Sequence, residues 1–117
     1  MTTALDPAGI VLAALADPTR RRLVELLAEC GGATATMLAR DLPVSRQAVV
    51  QHLAVLREAG VVDSRRHGRD VRFELRPHEL TAAARWMEAV AAQWDQRLAA
   101  LKEIAEETPG SDRDPRW

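Results

Sequence analysis

Gln47, Val50 and Gln51, with Arg46 in the first turn, stand apart from an apolar stripe of Val49, Leu53 and Leu56 in the helical stretch VSRQAVVQHLAVLREAGVV (residues 44–62). At about 100° per residue the three apolar side chains fall within about 60° of one another, and Gln47, Val50, Gln51 and Ala54 fall away from them. A face that merely meets water usually fills with Glu and Lys. This one carries no acid until Glu58. Gln and Arg make paired hydrogen bonds to purine edges, Val touches a thymine methyl and Ala permits close approach, so the chemistry this set is equipped for is reading base edges in a major groove. Ser45 at the start and Ala48 belong to the same candidate set. His52 lies at the edge of the apolar stripe and is read as structural or as a phosphate contact.

A second set follows in VVDSRRHGRDVRFEL, residues 61–75. Val71, Phe73 and Leu75 alternate with Arg72 and Glu74, and Gly68 separates two such runs, the pattern of a two-stranded hairpin with its turn near Gly68-Arg69. Arg65, Arg66, Arg69 and Arg72 give it a basic tip suited to phosphates or a minor groove, with strongly salt-dependent binding. His67, at the tip, is read as solvated. Net charge is −1, which disfavours a nucleic-acid partner until its distribution is considered. Residues 40–76 hold eight arginines against five acids, whereas residues 77–117 hold eight acids against five bases, so basic character is concentrated around the two candidate sets.

Other chemistry is poorly supplied. Three His, one Cys and no Tyr give no nucleophile, base and orienting group, so an enzyme is not expected. A single thiol, Cys30, forms no internal disulfide and no paired-thiolate site, and it is expected to be a small buried residue. No metal and no cofactor are expected. No apolar run approaches the roughly 18 residues of a bilayer span, so no membrane association and a cytoplasmic location are expected.

Around these sets, Asp6-Pro7 and Asp17-Pro18 each read as a helix N-cap followed by its first residue. Helices are predicted over about 7–15 and 18–29, the second stopped by Gly31-Gly32, with a solvated first turn at Arg20, Arg21 and Arg22. A short helix at about 34–40 ends before Pro43, and Ser45 caps a long one to about 58, closed by Gly60. After the hairpin a last helix runs from Pro77 to about 106, with Leu80, Met87, Trp94 and Leu101 every seven residues, flanked by Val90 among others. That stripe is longer than a core of this size can cover, so a second copy is expected against it, with Leu80, Met87, Val90, Trp94 and Leu101 joined by Ile10 and Val11. The 117 residues are expected to form one DNA-binding and dimerisation domain over 1–107 and a disordered tail over 108–117.

The order of short helix, tight turn, longer helix and basic hairpin is that of a helix-turn-helix with a wing. The expected fold is therefore mainly α with a small β-hairpin, about five helices plus a two-stranded wing. LADPTRRRLVELL, LARDLPVSRQAVVQHLAVLREAGVV and RRHGRDVRFEL together resemble the ArsR family of bacterial winged-helix repressors over about residues 10–105. The resemblance implies a homodimer built from the first and last helices, an operator in double-stranded DNA bound by the helix from Ser45, and repression relieved by an inducer of unknown identity. It does not extend to the metal sites of the family: TMLARDL lacks the cysteine pair of the arsenic and cadmium type, and only His78 and Glu79 stand where the zinc type begins its set. The competing reading is a winged helix that docks a protein rather than DNA.

Overall fold

In the computed structural model, which describes residues 6–107, each Asp-Pro pair starts a helix. Asp6 Oδ1 accepts the Gly9 N–H at 3.1 Å at the head of α1 (Pro7–Ala14), and Asp17 Oδ2 accepts the Arg20 N–H at 3.1 Å at the head of α2 (Pro18–Cys30). Gly31 ends α2 with φ +78°, a left-handed cap that a residue with a Cβ adopts only under strain. Thr34 caps the single-turn α3 (Ala35–Ala39), and Ser45 Oγ accepts the Ala48 N–H at 3.1 Å to start α4 (Arg46–Glu58).

The hairpin consists of β2 (Val62–His67) and β3 (Asp70–Leu75), antiparallel, with the expected two-residue turn at Gly68-Arg69. One strand was not expected. β1 (Ala33–Thr34) pairs antiparallel with β3, matching Ala33 to Phe73 and Thr34 to Arg72, so the sheet has three strands in the order β1-β3-β2. Two residues are too few to show a period of two, which is why the pattern was silent. The last helix, α5, runs Pro77–Glu107.

The described chain divides into two compact units, one ending at Arg85 and one beginning at Trp86. The core lies in the first: Val11, Leu23, Leu27, Val49, Leu53 and Leu56 are fully or almost fully buried, joined by Val61 and Val62 at the entry to β2. Burial of each such side chain stabilises the fold by about 1.5–3 kcal/mol, so α2 and α4 are held as a pair mainly through their leucines. The second unit is the remainder of α5, on which every described residue is exposed. No helix among the described residues is long and apolar enough to cross a membrane. The tail expected over 108–117 lies outside the described residues.

Candidate nucleic-acid interface

The face of α4 away from Val49, Leu53 and Leu56 presents Gln47, Val50, Gln51 and Ala54, with Arg46 in the first turn, all exposed. Ala48 and His52 sit half-buried on its flank. Burial of the three apolar residues fixes the rotation of the helix about its own axis, so the polar face is aimed by the core rather than by its own contacts. Val44, immediately before the cap, also packs on the core and secures the chain's entry. Arg46 is further restrained, because its Nε donates to Thr36 Oγ1 of α3 at 3.1 Å.

The strand register sorts the wing arginines into two groups. Arg66 pairs with Val71 and Ser64 with Phe73 on one face, while Arg65 pairs with Arg72, Asp63 with Glu74 and His67 with Asp70 on the other. Arg72 is half-buried and tied down, its Nη2 donating to the Gly32 carbonyl at 3.1 Å. Arg69 occupies the exposed turn beside Gly68, whose φ of +62° makes the tight reversal possible. Between α3, α4 and the wing runs an open groove lined by Met37, Arg40, Arg46, Val50, Arg69 and Val71. Arg40, Met37 and Thr36 of this groove are not among the residues expected from the sequence; the signal for them is the short helix preceding α4, which in a helix-turn-helix crosses the backbone.

Arg21 and Arg22 are exposed, as expected of a solvated first turn, but Arg20 and Arg21 also clamp the preceding helix. Arg20 Nε donates to the Ala14 carbonyl at 2.5 Å, and Arg21 Nη1 to the Leu15 and Ala16 carbonyls at 2.7 and 3.2 Å. These are carbonyls that the end of a helix leaves without backbone partners. Arg22 makes no contact with α1 among those of the described residues and stands in an exposed pair with Glu25 at 3.1 Å. Arg20 reaches further, its Nη1 lying 3.3 Å from Nδ1 of His52, and Asp17 Oδ2 stands 4.0 Å from the same nitrogen. The Asp17 carboxyl is held below its ordinary value, chiefly because it accepts the Arg20 backbone N–H, with the neighbouring His52 and Arg20 side chains adding to the effect. No sequence pattern announced this cluster.

Two further expectations are corrected. Val11 was placed at a subunit interface, but it is fully buried in the core of its own chain and has no surface to offer; Ile10 beside it is exposed. Cys30 was expected to be buried and is exposed on the last turn of α2. Leu80 is half-buried against the core, whereas Met87, Val90, Trp94 and Leu101 are exposed, Met87 by 45% and Trp94 by 56%. Among the described residues, no three His, Cys, Asp or Glu side chains come together as metal donors.

Comparison with known proteins agrees with this geometry. Residues 15–65, which span α2 to the middle of β2, match the family described as a helix-turn-helix domain. An HTH-type transcriptional regulator of Mycobacterium tuberculosis is 52% identical over 69 residues, 59% of this chain and 64% of that one. The arsenical resistance operon repressor of Escherichia coli is 33% identical over 99 residues, covering 84% of this chain and 85% of the other. Among solved structures, an ArsR-like transcriptional regulator from Rhodococcus sp. RHA1 superposes with a TM-score of 0.75 at 42% identity, covering 87% of this chain and 95% of that one. With the capped helix, the wing beside it and these relatives together, the chain belongs to the ArsR family of helix-turn-helix transcriptional regulators and is not an enzyme.

Proposed function

We propose that the chain is a homodimeric transcriptional repressor that binds an imperfect palindrome. Its α4 enters the major groove with Arg46, Gln47, Val50 and Gln51 toward base edges, and Ser45, Ala48 and His52 lie close to the backbone. The wing meets flanking DNA through Arg66 and Arg69, with Arg65 and Arg72 contributing charge from its other face. The observation that carries this reading is the exposed outer face of α4, free of acids until Glu58 at its last residue and aimed by three buried side chains. Repression rather than activation is favoured by the names of two relatives, the Escherichia coli repressor and the Bacillus subtilis transcriptional repressor SdpR, the latter 32% identical over 77 residues.

A dimer is supported by Met87, Val90, Trp94 and Leu101, four large apolar side chains that one helix exposes together, with Ile10 of α1 as a further contributor. Residues 1–107 are taken to supply both DNA binding and dimerisation. Arsenic or zinc does not fit as the inducer. The only thiol is Cys30, the described residues assemble no donor set, and an arsenic or zinc site needs several thiolates or imidazoles on one surface. The inducer is a small molecule or signal of another kind, acting inside the cytoplasm.

The test is selection of bound duplexes from a randomised library, followed by footprinting. Half-sites about 34 Å apart, one helical turn, are expected. Recovery of no sequence above background would overturn base reading by α4 and favour the protein-docking alternative.

A further inference from the structure

Arg20 belongs to α2 and hydrogen-bonds toward both α1 and α4. Its Nε holds the Ala14 carbonyl, and its Nη1 lies 3.3 Å from Nδ1 of His52. A guanidinium has five N–H donors, no acceptor, and keeps its proton under all ordinary conditions. The ring nitrogen facing it can therefore only accept. A neutral imidazole carries one proton, so with Nδ1 bare the proton stands on Nε2. Asp17 pulls the other way: its carboxylate, 4.0 Å from the same Nδ1, would be best served by an Nδ1–H. Two opposite demands thus converge on one atom, and the closer approach is that of Arg20.

His52 stands on α4 directly after Gln51, and its side chain keeps 23% of its surface open. We propose that Arg20 is a positioning residue for DNA binding: it locks His52 as an Nε2–H donor, which His52 presents to a backbone phosphate beside the major groove. This rests on the reading of α4 as the DNA-binding helix. An N–H donor with a fixed tautomer suits an oxygen that only accepts, whereas the opposite tautomer would aim a bare nitrogen lone pair at an anion. Arg20 acts through His52 and need not touch DNA itself. Removing its donors leaves Asp17 unopposed, so the proton moves to Nδ1 and Nε2 becomes an acceptor.

The experiment reads the ring nitrogens of the free, full-length chain by ¹⁵N-edited NMR at about pH 8, above the ordinary histidine range, with His52→Gln identifying the signals. The Nε2–H form is expected to dominate in the wild type, to persist in Arg20→Lys, which keeps a donor, and to give way to Nδ1–H in Arg20→Met. Affinity is then measured on the duplex recovered by selection, and on copies with single phosphates replaced by uncharged methylphosphonates. Arg20→Met and His52→Gln are each expected to weaken binding about tenfold. One phosphate per half-site should matter to the wild type and cease to matter in His52→Gln. A wild-type spectrum with Nδ1–H, or with evenly mixed tautomers, would overturn the lock even if Arg20→Met fails to fold. The expected spectrum with wild-type affinity in His52→Gln would overturn the phosphate contact. Failure of the wild type to prefer any duplex would instead strike the DNA-reading assignment, leaving the tautomer result standing on the free protein.

Discussion

Arg69→Ala separates charge at the wing from stability of the fold. The side chain projects from an exposed two-residue turn and makes no hydrogen bond or ion pair with any described residue, so its loss should leave the midpoint of thermal unfolding in place. Each phosphate contact contributes about 0.9 to the slope of log affinity against log salt, and a two-fold dimer has two such residues. The slope should flatten by about 1.8. Between about 50 and about 200 mM salt the variant should then lose roughly tenfold less affinity than the wild type. Arg72→Ala is the internal control. Its guanidinium holds the Gly32 carbonyl, so the expected loss is about 1 kcal/mol of stability. Fluorescence anisotropy on the selected duplex and on a scrambled one, at four or more salt concentrations, gives both slopes. An Arg69 variant with the wild-type slope, or an Arg72 variant that flattens the slope equally without loss of stability, would refute the assignment of Arg69 rather than Arg72 as a phosphate contact.

Four more outcomes are expected. Gln47→Ala and Gln51→Ala, both at exposed positions, should each weaken binding to the selected duplex by about 1–3 kcal/mol and leave the scrambled duplex almost unaffected, as competition titrations would show. Trp94→Glu, in the exposed stripe of α5, should shift the chain to monomer in sedimentation at micromolar concentration, and Leu53→Ala, at a fully buried position, should lower stability by about 2–5 kcal/mol in denaturant titrations. The Asp17 carboxyl has a folded-state value depressed below its unfolded one, so its stabilising effect is complete above about pH 4 and is lost as pH falls through the folded value; Asp17→Asn should make the acid limb of the stability profile shallower.

Legibility in the sequence followed the physics of each element. The caps at Asp6, Asp17 and Ser45, the helix-ending Gly31 and the turn at Gly68 act through local backbone geometry, so they were readable from neighbouring residues. The face of α4 was readable because Val49, Leu53 and Leu56 recur with a helical period and the opposite residues are chemically distinct. On α1 the same method had no purchase: Ile10, Val11, Leu12, Ala13, Ala14 and Leu15 are apolar all round, and only packing decides that Val11 turns inward. Cys30 defied expectation because Gly31 redirects the chain one residue after it, leaving the last turn of α2 open to water. The reach of Arg20 to Ala14 and His52 spans 6 and 32 residues, and contacts made by long side chains across elements leave no periodic trace.

The sheet order β1-β3-β2 leaves β2 as an outer strand, with one row of its backbone N–H and C=O groups free to pair with another chain. Unprotected edges of this kind template aggregation. Along this one stand Asp63, Arg65, Arg66 and His67, all exposed, and charged side chains on an edge make a second strand costly to seat. The arginines of β2 thus guard the strand as well as charging it. A wing in which Arg65 and Arg66 were replaced by Val or Thr would risk strand-to-strand association between copies, a loss of solubility unrelated to any operator and visible as light scattering where the wild type stays clear.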